Sequence, residues 1–183
     1  MSDREIVVRI ATAADLPALR ELIPASVRAL SRGYYSAEQI ESAIRHVFGV
    51  DTQLIEDGTY FVAHAGDTLA GCGGWSRRNT LFGGDQMKTG PDPLLDPATE
   101  PARIRAFFVQ PEFARSGVGS RIMEACMDAA REGGFRSLEL AATLPGEPLY
   151  RAFGFEAREP IDSLLPDGVM IPFIRMSRSL GVG

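Results

Sequence analysis

The residues of this chain best placed to do chemistry together lie in its second half, around one turn. In "VQPEFARSGVGSRIM" an apolar run breaks at Pro111, and Gly117 and Gly119 then open a helix-like pattern. A strand ending just before such a turn presents backbone N–H groups that have no helical partner. The helix dipole adds positive potential, so an anion can sit there. Arg115 and Arg121 flank the turn and can add charge-assisted bonds to a phosphate, and Ser120 adds a hydroxyl. The other reading is a tight strand-to-helix turn that binds nothing. Two common nucleotide sites do not match. A Walker loop needs Gly-Lys-Ser/Thr, and no lysine follows either glycine. A G-x-G-x-x-G fingerprint begun at Gly117 needs a glycine where Ile122 stands. Some thirty residues on, "LYRAFGFE" carries Tyr150, whose neutral phenol can donate a proton. Beside Phe153 and Phe155, a core aromatic is the plain reading of that tyrosine.

Other reactive side chains are sparse. Cys72 and Cys126 are far apart and in no metal-like pattern, and His46 and His64 form no helical metal pair, so neither a disulfide framework nor a metal site is expected. The net charge of -5 argues against a nucleic-acid binder, which normally carries a basic face. Apolar runs fall well short of the ~20 residues that span a bilayer. The opening "MSDREIVVRI" mixes charge signs and lacks the apolar core of a secretory signal, so a cytoplasmic protein is expected.

The elements that must position these residues follow from periodicity and caps. "IVVRI" reads as a strand. In the helix that follows, Asp15 is a candidate N-cap and Pro17 sits in the first turn. In "SAEQIESAIRHVFG", Ser36 and Gln39 form a capping box and Gly49 is a stop. Tyr60 to Ala63 and Thr68 to Trp75 read as a hairpin joined at Ala65-Gly66-Asp67. Residues 77–101, rich in Gly, Pro and Asp, read as a long loop, a length that tends to be functional or disordered. Then come the strand "ARIRAFFV", the glycine turn, a helix over Val118 to Glu132, and the strand "RSLELAAT". A short helix through Tyr150 and two closing strands complete the chain. Strand–helix–strand implies a parallel pair, while the hairpin and the late strands imply antiparallel ones. The expectation is one mixed-sheet α/β (α+β) domain over 1–183.

"V-x-P-x-x-A-R-S-G-V-G-S-R-I-M", followed by "L-Y-R-A-F-G-F-E", resembles the GNAT-type N-acetyltransferase superfamily. The resemblance covers Ala102 to Phe155 closely, and the opening "VVRIATAADLPALREL" is also like that family's first strand and helix. Two departures from its pattern cover three positions: Ala114 stands where Gln or Arg is usual, and Thr143 and Gly146 replace a frequent Asn and Ala before the tyrosine.

What the resemblance implies is specific. The fold would be the acyl-CoA N-acyltransferase fold, a mixed central sheet flanked by helices, with a V-shaped splay of strands at the cofactor site. Acetyl-CoA would be the co-substrate, its pantetheine arm pairing with the backbone of Phe107, Phe108 and Val109. Its pyrophosphate would lie on the amides of Ala114, Arg115, Ser116, Gly117, Val118, Gly119 and Ser120, with Tyr150 and Phe153 nearby. Tyr150 would be the general acid for the CoA sulfur, and the Val109 N–H would polarise the thioester carbonyl. Glu139 is a candidate base, facing either the cleft or solvent. Trp75 and Asp85 are candidate substrate contacts, with the Asn79 to Asp85 segment as a lid or as plain surface loop. The acceptor would be an amine of a small molecule or a protein, with a catalytically idle acyl-CoA sensor as the alternative. Many relatives pair through late strands, so a homodimer is the assembly implied.

Overall fold

The computed structural model describes residues 4–181, so Met1 to Asp3, part of the opening read above, and the last two residues lie outside it. Seven strands form one sheet in the order β1-β2-β3-β4-β5-β7-β6. They are β1 (Ile6–Ile10), β2 (Tyr60–Ala65), β3 (Thr68–Ser76), β4 (Ala102–Val109), β5 (Ser137–Ala142), β6 (Glu156–Leu164) and β7 (Met170–Ser179). The helices are α1 (Leu16–Leu30), α2 (Ala37–His46), α3 (Thr52–Glu56), α4 (Val118–Glu132) and α5 (Glu147–Ala152). Every neighbouring pair of strands is antiparallel except β4 with β5, which run parallel across the α4 crossover. No helix among the described residues is long and apolar enough to cross a membrane.

Local signals account for most boundaries. Ser36 Oγ accepts from the Gln39 N–H, and the Gln39 side chain accepts from the Ser36 N–H, closing the capping box of α2. Asp15 does not cap α1 through its side chain. Its carboxylate turns back to the Thr12 N–H and pairs with Arg9, capping a short 3₁₀ turn over Ala13–Asp15 instead. The helix α3 is absent from the sequence reading. Five residues show little periodicity, and α3 starts because Asp51 accepts from the Gln53 N–H.

Two apolar cores line the two faces of the sheet. On one, α4 buries Val118, Ile122, Met123, Cys126 and Ala130, at helical spacing, against the sheet. On the other, α1 and α2 bury Leu19, Leu22, Ile23, Ile40 and Ala43.

The sheet opens at its centre. β4 and β5 pair only at Ala102↔Leu138 and Arg103↔Glu139, whereas β5 stays paired with β7 as far as Ala142↔Ile174. A bulge in β4 accompanies the departure: the register against β3 shifts between Cys72 and Gly74, and Ala106 adopts φ 55°. A bulge bends its strand and increases local twist, which carries the second half of β4 away from β5. Tyr60, fully buried in the sheet, donates its hydroxyl to the bulge carbonyl of Ala106 at 2.9 Å.

The 77–101 loop is fastened down rather than loose. Arg78 makes two bonds to Asp57 (2.7 and 3.0 Å), and the Leu95 N–H returns to the Arg77 carbonyl. Arg105, reaching from β4 and buried, donates to Asp51 Oδ2 (2.9 Å) and to the carbonyls of Gly83 (2.6 Å) and Thr80 (3.3 Å).

Candidate active site

A cleft of about 560 Å³ occupies the gap between β4 and β5. One end is the turn from β4 into α4. Arg115 (φ 61°) and Gly117 (φ 90°) both take left-handed backbone, curling the turn so that successive N–H groups converge. Gly117 is the N-cap of α4 and has no side chain to offer, so the amides of the first turn are left for another acceptor. A Cβ on Gly117 would meet nothing within 4 Å, whereas one on Gly119 would lie 3.0 Å from Leu149. Gly117 thus serves backbone conformation, and Gly119 lets α5 pack close.

The middle of the cleft is the free edge of β4. The Gln110 N–H bonds to the Ala70 carbonyl (2.8 Å), and Phe108 sits opposite Cys72. In an antiparallel ladder this directs the peptide groups of Phe108 and Gln110 to β3, and that of Val109 to the open side. There the Val109 N–H donates to Ser26 Oγ of α1 at 3.2 Å. The expectation that Val109 holds a free N–H for the thioester carbonyl is therefore corrected: α1 has taken that donor.

The cleft wall also holds Tyr150, from α5, only 9% exposed and met edge-on by Phe107 (ring centroids 6.3 Å) and Phe155 (6.0 Å). Among the described residues no hydrogen bond engages its hydroxyl, and burial pushes its pKa well above that of an ordinary phenol. The loop before α5 is tied by Tyr35, whose hydroxyl accepts from the Leu144 N–H (3.0 Å) and donates to the Pro172 carbonyl (2.7 Å). Desolvation pushes the Tyr35 pKa up to about 12, so it holds this bridge as a neutral phenol.

Of the cofactor residues expected from sequence, Phe107, Phe108, Val109, Ala114, Arg115, Gly117, Val118, Gly119, Ser120 and Tyr150 line this one cleft. Ser116 and Phe153 do not. The Ser116 hydroxyl donates back to the Phe113 carbonyl (2.5 Å), and Phe153 packs into the core while its carbonyl accepts from Arg178. Arg121 points away and donates to the Ile6 carbonyl at 3.1 Å.

The substrate and base candidates are corrected more strongly. Glu139 is buried between the guanidinium groups of Arg103 (3.2 Å) and Arg175 and lines no cavity, so it is held as an ion-paired carboxylate on the sheet rather than poised to take a proton. Trp75 is 3% exposed, packed edge-on against Phe135 with Arg77 over its ring, away from the cleft. Asp85 accepts from the Thr52 N–H (3.0 Å) and hydroxyl (3.2 Å), fastening the loop to α3. The cleft also holds residues that no motif marks: Ser26, Leu30 and Tyr34 from α1 and the turn after it, and Phe48 after α2. Only their general location, in the first two helices, was foreseeable.

This arrangement matches a known one. Residues 24–155 fit the model of the acetyltransferase (GNAT) family, most of the chain. The chain belongs to that family. The GNAT chain is 25% identical over 120 residues to the uncharacterized N-acetyltransferase YsnE of Bacillus subtilis (strain 168), spanning 63% of this chain and 67% of that protein. Among solved structures, it is similar to a GCN5-related N-acetyltransferase (Aminotransferase, Class-II) from Rhodopseudomonas palustris, with TM-score 0.70, 17% identity and 98% of each chain covered. PaiA N-acetyltransferase from Thermoplasma acidophilum, solved in complex with coenzyme A, gives TM-score 0.63 at 17% identity, over 96% of this chain and 99% of that one. The protein yncA from Salmonella typhimurium, solved with its cofactor acetyl-CoA, gives 0.64 at 16% identity, over 98% and 96%. At these identities the structural likenesses speak for the fold.

Proposed function

We propose that this chain transfers the acetyl group of acetyl-CoA to a primary amine by direct attack within a ternary complex. The observation that carries the reading is that Tyr150 and the glycine turn line one continuous cleft. The residues present suit the co-substrate. The convergent amides of Gly117 to Ser120, with Arg115 as the one charged side chain on the cleft wall, suit a pyrophosphate. The free edge of β4 at Phe107 and Val109 suits the amide groups of a pantetheine arm, paired as an added strand would be.

The chemistry follows from these groups. The acceptor nitrogen, as free base, attacks the thioester carbon; the C–N bond forms and the C–S bond breaks. A backbone N–H of the free half of β4 stabilises the developing oxyanion. Tyr150 gives its proton to the departing sulfur, and a proton from the acceptor nitrogen leaves through solvent and restores the phenol. The overall change moves one acetyl group from sulfur to nitrogen and one proton from nitrogen to sulfur. A general acid of this kind typically supplies ~10²–10⁴-fold in rate.

The test is a thiol-release assay with acetyl-CoA and a panel of amines, beside calorimetry of CoA binding. Tyr150→Phe should lower turnover by ~10²–10⁴-fold with CoA affinity unchanged. Unchanged turnover removes the acid role, and CoA binding without release from any amine turns the reading toward an acyl-CoA sensor.

A further inference from the structure

Through the gap between β4 and β5 the cleft continues into a smaller recess of about 70 Å³ on the face covered by α1 and α2. Phe48, Phe107, Phe108, Thr143 and Tyr150 line both spaces. The junction of the two therefore lies beside the tyrosine, where the acetyl carbon must react. With the turn end of the cleft suited to phosphate, the recess is where a nucleophile can wait.

Its walls set aromatic and aliphatic side chains beside Arg105, Thr143 and the backbone of Gly49, Gly83 and Gly84. Phe48 meets Phe108 edge-on (5.9 Å) and Phe173 edge-on (6.1 Å), and Phe82 of the fastened loop packs on Phe173 at 5.1 Å. Leu81, Ala141, Val47 and Ile104 also line it. No Asp, Glu or His lines either space, and the only charged side chains are Arg115 and Arg105. Arg105 is already taken by Asp51 and two loop carbonyls.

From this we infer the acceptor class: a weakly basic primary amine carrying a short aliphatic group, of the kind found in the α-amine of an aliphatic amino-acid amide. The inference rests on the acetyl-transfer reading above. Three physical points lead to it. A second ammonium, as in a diamine or an aminoglycoside, would be desolvated against phenyl rings with no carboxylate to receive it. No side chain in either space can take a proton from a strongly basic amine. Near pH 7.5 an alkylamine of pKa ~10.4 is free base about one time in a thousand, while an α-amine at ~7.7–8.0 is so about a third of the time. The recess of about 70 Å³ is also smaller than the ~150 Å³ enclosed cavity that admits a benzene ring, so a short branched aliphatic group suits it better than a phenyl group.

The experiment compares leucinamide, phenylalaninamide, putrescine and kanamycin as acceptors for the full chain in the thiol-release assay, with CoA affinity measured separately. Leucinamide should lead the others in kcat/KM by about tenfold or more, a pocket-fit difference of ordinary size. Phe82→Ala enlarges the recess from the loop side and should raise the phenylalaninamide-to-leucinamide ratio by about tenfold with CoA affinity unchanged. Preference for putrescine or kanamycin overturns the acceptor class and leaves acetyl transfer standing. An unmoved ratio in Phe82→Ala, with CoA still bound, likewise overturns it. Release from no amine at all overturns both.

Discussion

Tyr150 is held in place by the edges of Phe107 and Phe155, with its hydroxyl left free toward the cleft. Desolvation disfavours the phenolate, so its pKa lies above the ordinary ~10 and the proton-donating form is lost only as pH rises through that higher value. The sign of the pH dependence follows. With saturating acetyl-CoA, kcat should show no descending limb between about pH 6 and 10, and kcat/KM should climb as the acceptor ammonium deprotonates. A falling limb in the wild type near pH 8–9 that vanishes in Tyr150→Phe would contradict the assignment. Glu139 shows the opposite case. Its alternation with Leu138 and Leu140 left two directions open in the sequence, and Arg103 and Arg175, from neighbouring strands, chose between them by ion pairing.

At the scale of elements, two left-handed residues shape the phosphate end and one shapes the thioester end. Gly117 at φ 90° carries its conformation freely, whereas a side chain there would be strained by ~1–2 kcal/mol even though space is open around it. Gly117→Ala should therefore lower stability by about that amount and weaken acetyl-CoA binding, read by urea denaturation and calorimetry. A variant that binds acetyl-CoA as tightly as the wild type would mean the turn amides do not hold the pyrophosphate. Ala106 at φ 55° keeps an unfavourable backbone because its carbonyl is held by Tyr60 and its strand must leave β5. The capping box of α2 was legible because its partners are three residues apart. The bulge was not, because it depends on pairing between β4 and a strand some thirty residues earlier.

Across the whole molecule, Asp51 and Arg105 join parts that are remote in sequence. Asp51 caps α3, pairs with Arg105 of β4 and takes Lys88 of the long loop at 2.5 Å. Arg105 in turn holds the loop carbonyls that set Phe82 over the recess. Asp51 is the carboxylate partner of buried Arg105, so removing it leaves that guanidinium desolvated with no counter-charge. Asp51→Ala should cost about 3–5 kcal/mol in urea unfolding, against the ~0–1 kcal/mol typical of a surface pair. A loss within the surface range would show that the loop does not depend on this pair. The 77–101 segment thus acts as a fixed wall, with Leu81 to Gly84 lining the recess, and its irregular sequence reflects anchoring by side chains rather than by strand or helix ladders.

The sequence by itself determined the strands, the longer helices, the parallel crossover and the glycine turn, while the role of Tyr150 came only from the resemblance. These rest on periodicity, caps and short motifs, whose physical causes act over a few residues. Only the tertiary structure decided that Ser26 occupies the Val109 N–H, that Glu139, Trp75 and Asp85 serve the scaffold, and that four phenylalanines from separate segments meet beyond the thioester. Each of those outcomes is a contact between groups far apart along the chain, and no local pattern carries the distance between them.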